Sequence, residues 1–348
     1  MTYFQAVVIA LIQGVTEMFP ISSLGHSVLV PAWFGGSWQT LVTQSSEASS
    51  ESSFYLAYIV ALHCATAFAL LWFFRADWIR IIRGFVRSLP ASVRLSIRAR
   101  RLRLSVQDKD ERLAWMIVFA TIPVGLTGLL LEHVFRTLFA KPLAAAIFLF
   151  INGLILLGAE ALRRSAVARK RAGVAATADR TVQTPAYVAG AGDPHEAAPV
   201  SHRGPSGGRA AADIADAEHS DERISTLSYK DAIFIGSTQI LALLAGISRS
   251  GVTMAGGLWR GLDHEDAARF AFLLATPVIL AAGVLKVPSL AGPAGAHIHG
   301  QVVVGFIICG IAAYLSVRFL LRWFQTRTLT PFAIYCLVFG LLSVIRFI

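Results

Sequence analysis

A short polar stretch, QGVTEMFPISSLGH (residues 13–26), interrupts an otherwise apolar N-terminal segment. Gln13 and Glu17 are four residues apart, so they share one face if this stretch begins as a helix. A carboxylate inside a membrane is energetically costly, which makes Glu17 a candidate functional group. The alternatives are a structural ion pair for Glu17 and a hydrogen bond between helices for Gln13.

Two hydroxyls and an imidazole follow the predicted turn at Pro20, namely Ser22, Ser23 and His26. Ser23 precedes His26 by three residues, a spacing that places a nucleophile next to an acid or base on a helix. The alternatives are helix N-caps for the two serines and a buried, hydrogen-bonded histidine. Ser23 and His26 are therefore candidate catalytic residues.

A second polar stretch, GISRSGVT (residues 246–253), places an arginine among hydroxyl groups. Arg249 stays charged, and its planar guanidinium matches the oxygens of a phosphate. The start of the following helix adds backbone N–H groups and the positive end of a dipole. The alternative partner for Arg249 is Glu17. The hydroxyls predicted to contact phosphate are those of Ser22, Ser248, Ser250 and Thr253.

These residues combine a carboxylate with a guanidinium. A carboxylate repels a phosphate directly, but a divalent cation that it holds can bridge to phosphate oxygens. We expect Glu17 and Gln13 to hold Mg²⁺ or Ca²⁺. The residue types therefore predict metal-assisted phosphoryl chemistry on a lipid-borne substrate.

The rest of the sequence indicates which elements position these residues. Of the 348 residues, 55% are hydrophobic and only 15% are charged, whereas soluble domains carry about 25% charged residues. Six apolar runs have lengths near the ~20 residues that cross a bilayer. These runs cover residues 54–74, 113–131, 142–162, 270–287, 302–317 and 331–345. The prediction is an all-α, polytopic membrane protein with six transmembrane helices.

The formal net charge of +10 is distributed unevenly between the connecting segments. Residues 75–112 and 163–230 are rich in Lys and Arg, whereas residues 34–53 and 287–300 contain neither. This alternation follows the positive-inside rule and excludes nucleic acid as the expected partner. It predicts a cytoplasmic loop at 163–230 and both termini outside the cell.

The two polar stretches belong to two related halves of the chain. An offset of 226 residues aligns Gln13 with Gln239, along with five other identical pairs. Three apolar runs follow each copy, and an odd number of spans inverts the second half relative to the first. We therefore expect an inverted repeat with two re-entrant helical hairpins, at 4–34 and 231–262, whose tips meet within the membrane.

Composition divides the chain into three parts. Residues 1–162 form the predicted N-terminal repeat, and residues 229–348 form the C-terminal repeat. The segment 163–228 between them is predicted to be a cytoplasmic linker. Its central part, 172–222, is rich in Ala, Gly and Pro and poor in large apolar residues, which predicts disorder.

The two polar stretches resemble the signature regions of the undecaprenyl-diphosphatase family, the bacitracin-resistance proteins of bacterial membranes. The first stretch is similar to the (E/Q)xxxE element of that family and the PxSSxGH turn that follows it. The second is similar to its PGxSRSGxT element. Ala245 replaces the usual proline and Leu24 a common threonine, and the linker is longer than expected.

The resemblance implies hydrolysis of undecaprenyl diphosphate to undecaprenyl phosphate and inorganic phosphate, which recycles the carrier lipid of peptidoglycan synthesis. It implies a cation held by Glu17, attack or water orientation by Ser23, acid–base chemistry by His26 and a phosphate clamp at Arg249. It further implies that the site opens to the outer side of the bacterial cell membrane.

Bacitracin is expected to compete indirectly, because it sequesters the lipid substrate, and a homodimer is left open. The main alternative is a flippase or transporter that binds polyprenyl phosphate at the same site without cleaving it. A structural scaffold would leave the buried polar residues unexplained.

Overall fold

The computed structural model describes residues 1–47, 54–99, 104, 106–139, 141–182, 219–290 and 298–348. Within these ranges the regular structure is helical, and no β-strand is present. The α-helices are α1 Tyr3–Thr16, α2 Ser23–Phe34, α3 Gly36–Glu47, α4 Phe54–Phe73, α5 Arg75–Ala99, α6 Lys109–Phe139, α7 Pro142–Val182, α8 Tyr229–Ser237, α9 Arg249–Trp259, α10 His264–Leu290, α11 His299–Thr326 and α12 Thr330–Phe347. A 3₁₀-helix, Thr238–Leu243, lies between α8 and α9.

Five of these helices are long and apolar enough to cross a membrane, namely α6, α7, α10, α11 and α12. A sixth span is reached if Ala57–Phe73 and Arg75–Pro90 count as one, although the two helices are bent by 83°. The charged residues that follow Phe74 explain the bend, because α5 carries an Arg-rich face that an apolar layer would not accept. The predicted all-helical, multi-pass membrane protein is confirmed.

Two helix breaks lie where the sequence predicts turns. Between α1 and α2, Pro20 disfavours a helical conformation in the residue before it, and Ser22 adopts φ +70°. Between the 3₁₀-helix and α9, Gly246 adopts φ +111°, which only glycine tolerates easily. The two breaks meet, because the Gly246 N–H donates to Ser22 Oγ at 3.2 Å.

The neighbouring helices hold these two breaks in place. Helix α1 packs against α11, and α4 packs against both α10 and α11. Helices α2, α9 and α12 all pack against α7. A Cβ on Gly25 would lie 2.9 Å from Gly246 Cα, so the two breaks approach this closely because residue 25 is glycine.

The ends of the predicted disordered linker are ordered. Helix α7 continues to Val182, and residues 219–225 form a short helical segment. In that segment Asp221 is buried and pairs with Arg80 at 2.8 Å and with Arg269 at 2.8 Å. Composition could not reveal these partners, because they lie on α5 and α10. The central part of the linker, residues 183–218, lies outside the described residues.

Candidate active site

Glu17 connects the two helix breaks. It is the C-cap of α1 and is buried. Its Oε1 accepts a hydrogen bond from Arg249 Nη2, on the opposite break. Its Oε2 accepts from Ser23 Oγ and, at 3.0 Å, from Gln13 Nε2. Four residues predicted from two distant stretches are thus in contact around one carboxylate.

Arg249 is the first residue of α9 and forms an ion pair with Glu17. The sequence favours a phosphate as its partner, and the structure shows the carboxylate alternative. A buried charge requires a partner, which explains this pairing. A guanidinium has five N–H donors, and the side chain is 19% exposed. The remaining donors can therefore reach a second anion.

The side-chain amide of Gln13 has one bonded end and one end without a partner among the described residues. Its Nε2 donates to Glu17, but among the described residues its buried Oε1 has no hydrogen-bond partner. His63, from α4, approaches the same pair: its Nε2 lies 3.3 Å from Gln13 Nε2 and 3.4 Å from Glu17 Oε2. Sequence reasoning missed His63, although a lone imidazole in an apolar run was an available signal.

His26 faces away from Ser23. Its Nδ1 lies 2.7 Å from the Ser22 carbonyl oxygen, which can only accept, so Nδ1 carries the proton. Its Nε2 then accepts from the Tyr335 hydroxyl at 2.8 Å. The expected Ser23–His26 hydrogen bond is not formed, because the serine turns towards α1 and the imidazole towards α12. Sequence reasoning missed Tyr335, which looks like one more aromatic residue of an apolar run.

Ser22 and Ser248 are the N-caps of α2 and α9. Ser22 Oγ accepts from the Gly25 and Gly246 N–H groups, both at 3.2 Å. Ser248 Oγ accepts from the Gly251 N–H at 3.2 Å. The capping alternative is therefore observed for Ser22 but not for Ser23, which is the first residue of α2, and Ser248 is a cap as well. The predicted contact of Ser22 and Ser248 with phosphate stays a prediction.

Ser250 and Thr253 also bond to backbone carbonyls. Ser250 Oγ donates to the Phe19 carbonyl at 3.2 Å, across the contact between the two breaks. Thr253 Oγ1 donates to the Arg249 carbonyl at 2.7 Å, within α9. A role in phosphate binding would require these hydroxyls to exchange or share their present partners.

Asn152, on α7, is a positioning residue that sequence reasoning missed. Its Nδ2 donates to the Pro20 carbonyl and its Oδ1 accepts from the Ser248 N–H, both at 3.0 Å. One buried amide therefore bonds to both breaks and fixes their position relative to each other. The available signal was a single amide within the apolar run 142–162.

The residues around Glu17 fit a divalent cation only together with a substrate. No group of three or more His, Cys, Asp or Glu that could hold a metal occurs in the part of the chain that the structure describes. Glu17 supplies a carboxylate, and Gln13 supplies an amide oxygen, Oε1, that has no partner among the described residues, although Nε2 is the Gln13 atom that faces Glu17. Mg²⁺ commonly binds through one or two carboxylates and takes further ligands from substrate phosphates and water.

The chain is similar to known proteins along nearly its whole length. Residues 6–189 and 208–342 match the family described as "Bacitracin resistance protein BacA". "Undecaprenyl-diphosphatase 2" of Frankia alni is 57% identical over 361 residues, covering 100% of this chain and 98% of the relative. "Undecaprenyl-diphosphatase" of Mycolicibacterium paratuberculosis is 52% identical over 340 residues, covering 98% and 95%. The resemblance inferred from the two polar stretches is confirmed, and the chain belongs to the bacitracin resistance protein BacA family.

Proposed function

We propose that this protein is an integral membrane phosphatase that hydrolyses undecaprenyl diphosphate to undecaprenyl phosphate and inorganic phosphate. Relatives named for that activity align over nearly its full length. The observation that carries the proposal is the contact of Ser23 and Arg249 with Glu17. A hydroxyl and a guanidinium both bond to one carboxylate there. The comparisons do not support the flippase alternative.

The geometry favours Glu17 as the group that accepts the proton of Ser23. The Ser23 hydroxyl already donates to Glu17 Oε2. As Ser23 Oγ bonds to the terminal phosphorus, its proton passes to the carboxylate, and the bond from that phosphorus to the bridging oxygen breaks. Undecaprenyl phosphate leaves with the bridging oxygen, and water then releases inorganic phosphate from the serine. If Ser23 instead orients a water, the same carboxylate accepts the proton of that water.

Arg249 and His26 have separate roles in this proposal. Arg249 remains paired with Glu17 through Nη2 and directs its other N–H donors at the terminal phosphate, which stabilises developing negative charge. His26 is held at Nδ1 by the Ser22 carbonyl, so Nε2 is the atom that exchanges a proton, through the Tyr335 hydroxyl. Ser22, Ser248, Ser250 and Thr253 surround the phosphates as secondary contacts.

A divalent cation, Mg²⁺ or Ca²⁺, is part of the proposal. Glu17 and the free Gln13 Oε1 would hold it. When bound, such a cation neutralises charge on the diphosphate.

The proposed arrangement in the membrane is an inverted repeat with re-entrant hairpins at 4–34 and 231–262. The contact of the two breaks at Ser22 and Gly246 supports this arrangement. The distribution of Lys and Arg supports a cytoplasmic loop at 163–230, external termini and a site that opens to the outer side. Bacitracin would then act by sequestering the substrate outside the cell, and a homodimer remains compatible with this arrangement.

Phosphate release from undecaprenyl diphosphate by the purified full chain tests the proposed function. We expect release that stops with a chelator, returns with Mg²⁺ or Ca²⁺ and is lost in Glu17→Gln. Gln325→Ala, which changes an exposed amide on α11, is the control. Tight binding of undecaprenyl phosphate with no release of phosphate from the diphosphate would refute the phosphatase and favour a transporter.

A further inference from the structure

The exposed face of α11 carries a groove of about 480 Å³ near the C-terminal end of that helix. We call it the basic groove. Its principal lining residues are Leu315, Arg318, Phe319, Arg322, Trp323 and Arg327. The lining residues that belong to α11 recur at intervals of three or four positions, so their side chains lie on one face of that helix.

Arg318 and Arg322 were expected to follow a span at 302–317, but the helix continues to Thr326. Arg318 therefore lies eight residues before the end of α11, or about 12 Å along its axis. Its side chain is exposed and follows three exposed apolar residues of the same helix, Ile307, Ile311 and Leu315. A guanidinium at this position must extend towards the membrane surface or find an anion.

The basic groove brings three arginines together on one surface. In the described ranges, none of the ion pairs within 4.0 Å involves Arg318, Arg322 or Arg327. Arg327 contacts an aromatic ring instead, with its guanidinium carbon 5.9 Å from the Trp323 ring centroid. By contrast, Arg80 and Arg269 each have acidic partners at 3.1 Å or less. The groove thus holds three positive charges that no carboxylate of the described residues neutralises.

The other wall of the groove is apolar. Leu315 lies towards the middle of α11, and Phe319 and Trp323 lie between it and the end of the helix. Phe319 stacks on Phe19, a residue of the first helix break, with ring centroids 5.8 Å apart. A ligand that suits this surface has an anionic group at one end and a hydrocarbon chain at the other.

We propose that the basic groove binds an anionic phospholipid of the surrounding membrane. Its phosphate headgroup lies between the guanidiniums of Arg318, Arg322 and Arg327, because basic pockets of this kind bind lipid phosphates near a membrane surface. One acyl chain lies along Leu315 and Phe319. The proposal does not depend on the enzymatic activity of the protein.

Native mass spectrometry of the full chain, released from micelles and titrated with phosphatidylglycerol, tests this proposal. The test variant is Arg318→Gln/Arg322→Gln. The matched control is Arg164→Gln/Arg169→Gln, which removes two exposed arginines near the end of the candidate membrane span within α7, Pro142–Arg169. We expect one saturable phosphatidylglycerol site whose affinity falls about 30-fold in the test variant, as two lost attractions of ~1 kcal/mol each predict. The control should keep its affinity.

Phosphatidylcholine, which carries the same chains without net charge, should not compete for this site. An equal loss of affinity in both double variants would indicate diffuse surface attraction and overturn the proposal, as would the absence of a saturable site. Displacement of phosphatidylglycerol by polyprenyl phosphate at a lower concentration would also overturn it, because the groove would then be a product site. If the double variant does not fold, Arg322→Gln alone should weaken binding about 5-fold.

Discussion

Glu17 and Arg249 are 232 residues apart in the chain and form an ion pair where the two helix breaks meet. The pair joins the two halves of the sequence at the point where Ser23 also bonds to the carboxylate. This relationship gives Arg249 both a structural partner and a place from which to bind phosphate. The two roles can be separated by experiment.

Exchanging the two charges separates stability from catalysis. Arg249→Lys keeps the charge but loses the planar fork, so we expect turnover to fall by about 10²–10³. Glu17→Arg/Arg249→Glu should recover part of the thermal stability lost in Arg249→Glu but no activity. The measurements are phosphate release and melting in detergent. Near-normal turnover in Arg249→Ala would remove the phosphate clamp from the mechanism.

Gln13 and Glu17 should differ in their response to metal. Gln13→Ala removes one neutral oxygen, so we expect activity that is restored by a higher Mg²⁺ concentration. Glu17→Ala removes the charge and the proton acceptor, so saturating Mg²⁺ should restore nothing. A titration of turnover against Mg²⁺ for both variants checks this. Wild-type turnover in Glu17→Ala at saturating Mg²⁺ is the result that contradicts both roles of Glu17.

Tyr335→Phe isolates the hydrogen bond to His26. The ring and its stacking against His26 are kept, and only the hydroxyl that donates to Nε2 is removed. We expect a stability loss of about 0.5–1.5 kcal/mol, typical of one hydrogen bond, together with a changed pH–rate profile. An unchanged pH–rate profile, with only the small stability loss, would leave Tyr335 a purely structural partner.

Asn152→Leu should remove the two hydrogen bonds by which Asn152 links the helix breaks. It leaves the Pro20 carbonyl and the Ser248 N–H without their partner, and each unsatisfied buried group costs about 1–3 kcal/mol. We expect a lower melting temperature and a lower kcat, because Ser23 and Arg249 lose their fixed separation. Asn152→Asp keeps the acceptor for Ser248 and should recover part of both. Equal kcat in all three proteins would show that Asn152 does not position the site.

Asp221 and its neighbour Glu222 provide a matched pair of carboxylates. Asp221 is buried between Arg80 and Arg269, so Asp221→Asn should destabilise the protein by about 3–5 kcal/mol. Glu222 is exposed and pairs only with surface groups, so Glu222→Gln should change melting very little. Equal melting temperatures for the two variants would mean that the segment 219–225 is not anchored as described.

The sequence allowed both breaks to be predicted for physical reasons, and it offered the Glu17–Arg249 contact as the alternative to a phosphate partner for Arg249. Proline disfavours a helical conformation in the residue before it, and glycine allows the positive φ that Gly246 adopts, so the turns at Pro20 and Gly246 are favoured by the local sequence. Glu17 and Arg249 are charges in apolar surroundings, and each needs a partner of opposite sign. That requirement was visible without knowing the packing of any helix.

Other parts of the site depend on how helices rotate against one another. Asn152 and His63 are single polar residues in apolar runs, and the sequence does not say which neighbour they face. His26 pairs with Tyr335, 309 positions away, rather than with Ser23, three positions away. The order at residues 219–225 likewise comes from arginines on remote helices, which composition cannot identify.

The contact between Ser22 and Gly246 has a consequence for biosynthesis. These residues are separated by 224 positions, so at 5–20 residues per second the ribosome needs roughly 10–45 s to supply the second partner. During that interval Glu17 lacks the Arg249 guanidinium, and Ser22 Oγ lacks the Gly246 N–H. The nascent first half must therefore keep these groups hydrated or shielded by the insertion machinery. A chain that ends before α9 would leave the buried Glu17 carboxylate without the guanidinium that it contacts in the full-length protein.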